Sequence, residues 1–213
     1  MSDTYSDWTW RELWRHRRAR WYVAFCLVSL LMVIFYLPYY YGEVIEPKPG
    51  ILWNDAVLDL FAPVNWSVFI FSIIYLSILL TVISIANKPG LLLVGATTYF
   101  LVSILRMVSM YVLTLEPPAG MVLLIDPITS NFYPDHGFAK DLFFSGHVST
   151  MMLLVLVEKK RLFRYAKIIG TVVVGLLLAW QHVHYTLDLL VAPVVTFLVF
   201  SAVKSGLEQP KMG

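Results

Sequence analysis

Three residues able to do nucleophilic or acid–base chemistry sit beside apolar stretches of this chain: His147, His184 and Asp188. His184 and Asp188 are four apart, which places them on one helical face or across one helix start. A carboxylate so placed can accept the imidazole Nδ1–H, fixing the tautomer and leaving Nε2 free as nucleophile or base. The same pair can instead anchor a helix end at headgroup level. His147 follows Ser145 and Gly146. A serine N-cap leaves backbone N–H groups and the positive dipole end pointing out of the helix, and glycine lets a ligand approach the backbone closely. That suits a phosphate-sized anion beside a titratable imidazole. The plainer alternative is a capping serine and a boundary histidine.

Arg106 lies within an apolar run, about nine residues from its end, on the order of 13 Å below the boundary at the helical rise. A charge there is costly and needs an anion, either a ligand or a carboxylate such as Asp141 or Asp188, unless it snorkels to the headgroups. Ser109, at i+3, shares its face. His147, His182, His184 and Asp188 also admit a transition-metal reading, but an arginine and a helix N-terminus favour an anion over a cation, so no metal and no cofactor is expected. Asp141 is the first choice among the acidic residues of the long segment from Glu116 to Phe143; Glu116, Asp126 and Asp135 carry no assigned role.

The elements that must hold these residues are membrane spans. The 213 residues are 59% apolar and only 14% charged, with a mean hydropathy of +0.72, outside the soluble globular range. A net charge of +2 gives no argument for nucleic acid, and the single Cys26 excludes an intrachain disulfide. Six stretches are long or apolar enough to read as helices crossing the bilayer: Tyr22 to Tyr41, Ser67 to Ala86, Leu91 to Leu115, a short Phe144 to Val157, Ala166 to Gln181 and Leu187 to Ser205. The polar cluster from His182 to Thr186 splits the last two at a membrane boundary, with Thr186 read as the cap of the sixth helix. The expected fold is all-α. It comprises an amphipathic and basic segment over residues 1–21, a six-helix domain over 22–205 and a tail over 206–213. Thr9-Trp10-Arg11-Glu12 has capping-box spacing and predicts a short interfacial helix ahead of the first span.

Lys and Arg give the sidedness. Arg11, Arg15, Arg17, Arg18 and Arg20, then Lys88, the cluster from Lys159 to Lys167, Lys204 and Lys211 fall on one side. The other side, with the outer parts of its spans, holds only Lys48, Arg106 and Lys140. Both termini are therefore expected in the cytoplasm, and the candidate chemistry at the opposite face.

Three stretches resemble the sphingomyelin synthase family, within the phosphatidic acid phosphatase type 2 superfamily. Arg106 to Leu115 is similar to that family's arginine and Met-Tyr-Val stretch. Asp141 to His147 is similar to its aspartate six residues ahead of a Ser-Gly-His histidine. His182-Val183-His184-Tyr185-Thr186-Leu187-Asp188 matches His-x-His-Tyr-Thr-x-Asp. The resemblance implies that His184 attacks the phosphorus of a phospholipid headgroup, that Asp188 orients it, and that His147 protonates the leaving diacylglycerol oxygen. Arg106, Ser145, Gly146, Asp141, Ser109 and Tyr185 would form the phosphate and substrate surroundings. The donor would be a phospholipid and the acceptor a lipid alcohol such as ceramide or diacylglycerol, or water. Ala139-Lys140 stand where the family has Cys-Gly, and Val148 where it has threonine. Leu177 and Leu178 replace the Ser-Arg pair that simple phosphatases carry ahead of the last histidine. The family's first motif, which ends in aspartate, has only a faint counterpart near Asn54-Asp55. The short chain suggests a bacterial inner-membrane protein.

Overall fold

The computed structural model describes residues 8–128 and 138–208. Helices dominate it: α1 (Trp10–Arg15), α2 (Arg17–Tyr40), α3 (Ser67–Ile85), α4 (Pro89–Val112), α5 (Gly146–Val157), α6 (Arg161–Trp180) and α7 (Thr186–Glu208). Five of them are long and apolar enough to cross a membrane, each alone or, for α2, with the π-helical turn Tyr41–Ile45 that continues it. The chain is a polytopic membrane protein.

α1 forms where the capping box predicts it. The Thr9 side chain accepts the Glu12 N–H and the Glu12 carboxylate accepts the Thr9 N–H at 2.7 Å. It is fastened to the bundle by buried Leu13, packed with Ala19, Cys26 and Leu93, and by the Trp10 indole N–H donating to the Ala86 carbonyl at 2.7 Å.

The predicted fourth span is the exception in length. α5 has 12 residues, about 18 Å of helix against a hydrocarbon core of about 30 Å. It can be short because it is central, packed against α3, α4, α6 and α7, while α2 lies outside against α4. The backbone beyond its ends is satisfied by protein rather than left to lipid. At one end Arg106 Nε donates to the Phe144 carbonyl and Ser109 Oγ to that of Phe143, both at 2.8 Å. At the other, the Arg164 guanidinium donates twice to the Glu158 carbonyl. The Glu158 side chain, fully buried, accepts from Ser84, from the Lys160 N–H and from Lys167. Around α5 the core is built from Ile70, Ile74, Val102, Met151, Val174 and Leu178.

α4 stops at Val112, so Arg106 lies six residues from its end, about 9 Å, and shallower than the apolar run suggests. Beyond α4 the chain pairs with the loop after α2. The Ile51 N–H donates to Thr114 O and the Glu116 N–H to Ile51 O, at 2.9 and 3.0 Å. A Cβ on Gly50 would lie 2.7 Å from the Leu115 carbonyl carbon, so only glycine permits this approach. Lys140 Nζ completes the join at 2.9 Å from both Glu116 Oε1 and Lys48 O.

Candidate active site

The turn from α6 to α7 sets one half of the site. α6 ends in a Schellman motif: the Val183 N–H donates to Leu178 O and the His182 N–H to Ala179 O, with His182 left-handed at φ 57°. The His182 ring is bound between two carbonyls, Ala119 O at 2.9 Å and Phe61 O at 3.2 Å. Gln181, fully buried, ties the same turn to Trp66, Ser67, Val122 and Leu123. With the turn held, His184 faces the interior at 0% exposure.

α7 then starts at Thr186, and here the sequence reading needs correction. Thr186 does not cap the helix. Its N–H and Oγ1 both donate to the Asp55 carboxylate, at 2.6 and 3.1 Å, so the cap comes from a distant loop. Burial raises the Asp55 carboxyl, but hydrogen bonds from Thr186 and Val57 outweigh it and hold it below its ordinary 3.8. Asp188 Oδ2 accepts the Tyr185 N–H at 3.3 Å and lies 3.5 Å from His184 Nδ1. The Tyr185 hydroxyl donates to Glu116 O at 2.9 Å and accepts from the Trp53 N–H, joining loops at this end of the bundle.

The other half comes from α5. Ser145 is the N-cap, its side chain accepting from the Val148 N–H. Its own N–H donates to the Asp188 carbonyl at 3.3 Å, fastening the start of α5 to the start of α7. This lock brings the imidazoles together: the His147 and His184 ring centroids are 6.2 Å apart at 61°, with Phe71 edge-on to His147 at 5.6 Å. His147 Nδ1, both nitrogens of His184 and Asp188 Oδ1 are buried without a hydrogen-bond partner among the described residues. Buried polar atoms are rarely left so, and four of them on three neighbouring side chains mark a candidate functional place.

Arg106 approaches this point from α4. Its Nη2 is 2.5 Å from Asp141 Oδ1, its Nη1 donates to the Tyr41 hydroxyl at 3.1 Å, and its Nε holds Phe144 O. Gly146 therefore has a different reason from the one its sequence suggests. A Cβ there would run into the Arg106 guanidinium, so the open face of the backbone is filled by protein. Ser109 also donates to Arg106 O, so its hydroxyl bridges helix and loop. Asp126 binds Tyr75 Oη at 2.6 Å, Glu116 binds Lys140, and Asp135 lies outside the described residues. The Lys140 ammonium and the Gly50 N–H hold the Glu116 carboxyl below its ordinary value. With His182 bound to carbonyls elsewhere, no group of three or more metal-ligating side chains forms among the described residues.

A cavity of about 210 Å³ adjoins the site, with Arg106, Asp141, Gly146 and His147 at one end and Tyr99, Leu153 and Thr196 further in. His184 is not in its walls. Asp55, Tyr41 and Tyr99 enter this picture only through tertiary contacts. Of the three, Asp55 alone left a trace in the sequence, the faint counterpart of a family motif.

No curated protein matches the chain. Residues 140–205 match the family model PAP2_C, PAP2 superfamily C-terminal, and this stretch carries Asp141, Ser145, His147, His184 and Asp188. Over these residues the chain is similar to the PAP2 superfamily, whose members are phosphatases or phosphotransferases acting on lipid phosphate esters.

Proposed function

We propose that the protein moves a phospho-headgroup from a glycerophospholipid to a lipid alcohol, in the manner of the sphingomyelin synthase branch. The facing pair His147 and His184, with Asp188 beside Nδ1 of His184, carries this reading. Asp188 orients His184 so that Nε2 presents its lone pair to phosphorus. The N–P bond forms as the P–O bond to diacylglycerol breaks, and protonated His147 gives its proton to the leaving oxygen. In the second half the acceptor O–H gives its proton to His147, its oxygen bonds to phosphorus, and the N–P bond breaks. Charge on the phosphoryl oxygens falls to Arg106, which has two N–H donors beyond the three already engaged. Ser145, Gly146, Asp141 and Ser109 hold that frame, and Tyr185 holds the loop that precedes α7.

The Arg and Lys distribution supports a cytoplasmic position for the end of the bundle carrying both termini, and a periplasmic or lumenal position for the histidines.

The test is the purified protein with headgroup-labelled phospholipid, with and without ceramide or diacylglycerol. Label is expected in the acceptor lipid, and turnover is expected to fall by about 10²–10⁴ in His147→Ala and His184→Ala. Release of the free headgroup whatever the acceptor would make the protein a hydrolase with water as acceptor. Variants equal to the parent would leave a lipid-binding protein without catalysis.

A further inference from the structure

The cavity touches only one of the two histidines. His147 lines it together with Arg106 and Gly146, while His184 is fully buried behind. In an in-line displacement the nucleophile and the departing oxygen lie on opposite sides of phosphorus. If His184 is the nucleophile, the alcohol oxygen lies on the His147 side, where the cavity is. Microscopic reversibility then gives the incoming alcohol the position that the outgoing one has left.

The walls say what kind of alcohol fits. Between Gly146 and Leu153, and between Tyr99 and Arg106, the cavity runs about 10 Å along α5 and α4. An alkyl chain needs only apolar walls, yet Tyr99, Ser103, Thr150 and Thr196 all face this space. The hydroxyls of Ser103, Thr150 and Thr196 donate to the carbonyls four residues earlier, at 2.9, 2.9 and 2.8 Å, so each has its proton engaged and keeps only acceptor capacity. The Tyr99 phenol has no hydrogen-bond partner among the described residues and lies within electrostatic reach of Arg106 and Asp141. It is a part-buried donor on the wall of a cavity, where a ligand that covered it without accepting its hydrogen bond would bind at a cost.

We infer that this cavity is a single alcohol subsite, used first by the departing and then by the incoming lipid. Tyr99 anchors it by donating to a carbonyl oxygen a few bonds from the reacting hydroxyl. The inference rests on the headgroup-transfer reading above. The shared ligand chemistry is a lipid hydroxyl near a carbonyl, supplied by an ester in diacylglycerols or by an amide in N-acyl amino alcohols.

The experiment is direct binding to the full chain in detergent micelles, followed by intrinsic tryptophan fluorescence. The probes are a short-chain diacylglycerol, a short-chain N-acyl amino alcohol and the dialkyl ether analogue, which keeps the hydroxyl but has no carbonyl. Tyr99→Phe is expected to weaken one or both carbonyl ligands about tenfold and to leave the ether unchanged. Whichever ligand loses more identifies the source. Tyr39→Phe, on the exposed outer face of α2, serves as control. Equal affinities in parent and Tyr99→Phe would overturn the inference, and so would equal losses for ester, amide and ether, which mark a merely structural tyrosine. Competition between diacylglycerol and the N-acyl amino alcohol for one saturable site is also required; independent binding would overturn it. Because these readouts need no turnover, a protein that binds as described but moves no headgroup would sink the transfer reading while leaving the carbonyl-selective subsite standing.

Discussion

At the residue scale, the decisive contact is the loose one. Asp188 stands 3.5 Å from His184 Nδ1, longer than a good hydrogen bond, while its second oxygen has no partner among the described residues. Catalytic contacts are often long without substrate and tighten when charge develops. Asp188→Asn keeps size and shape but allows the amide to face the imidazole with its NH2, selecting the wrong tautomer. Headgroup turnover is expected to drop about 10³–10⁴-fold while the melting midpoint moves little, measured on the same preparation. Arg106 makes the opposite point. Sequence left it a choice between ligand and carboxylate, and it takes a carboxylate, Asp141, while retaining two donors. The imidazole pair was legible because its motifs are contiguous. Tyr41 and Tyr99 belong to no motif and matter through what lies opposite them.

At the element scale, two helix ends and one buried ion pair hold the site. Asp55 caps α7 from a loop more than a hundred residues away in sequence. Asp55→Ala is expected to cost about 1–2 kcal/mol in chemical denaturation and to reduce turnover, since His184 and Asp188 flank that helix start. The sign of its pH dependence follows from the direction of the shift. A carboxyl lower in the folded than in the unfolded protein gives stability that is complete above its ordinary 3.8 and disappears as pH falls through the lowered value. The acid-induced fall of the melting midpoint should therefore be smaller in Asp55→Ala than in the parent. At the other end of α5, Lys167 and Glu158 are buried together. Lys167→Met leaves that carboxylate without its cation, and a loss of about 3–5 kcal/mol is expected in the same assay. The Ser145 cap could be read from the chain because capping is local. The cap on Thr186 could not, because its carboxylate comes from elsewhere.

At the scale of the whole molecule, α5 explains how the bundle sets its candidate site inside the protein. A helix too short to span is surrounded by four others, so its start lies within the protein and its irregular flanks find partners there. The proposed sidedness can be checked on intact cells with a membrane-impermeant thiol reagent, native Cys26 being buried. A cysteine placed at exposed Leu60 should label from outside, and one at exposed Leu162 only after permeabilisation. Hydropathy, capping and motif spacing are properties of neighbouring residues. The sequence by itself therefore determined the membrane class, the helical spans, the short α1, the Ser145 cap and the motifs that bear His147, His184 and Asp188. Only the tertiary structure decided that Arg106 fills the space above Gly146, that Asp55 rather than Thr186 caps α7, and that a hydroxyl-lined cavity opens on the His147 side. Each of these depends on which distant group occupies a gap, and close packing in three dimensions, not order along the chain, selects that group.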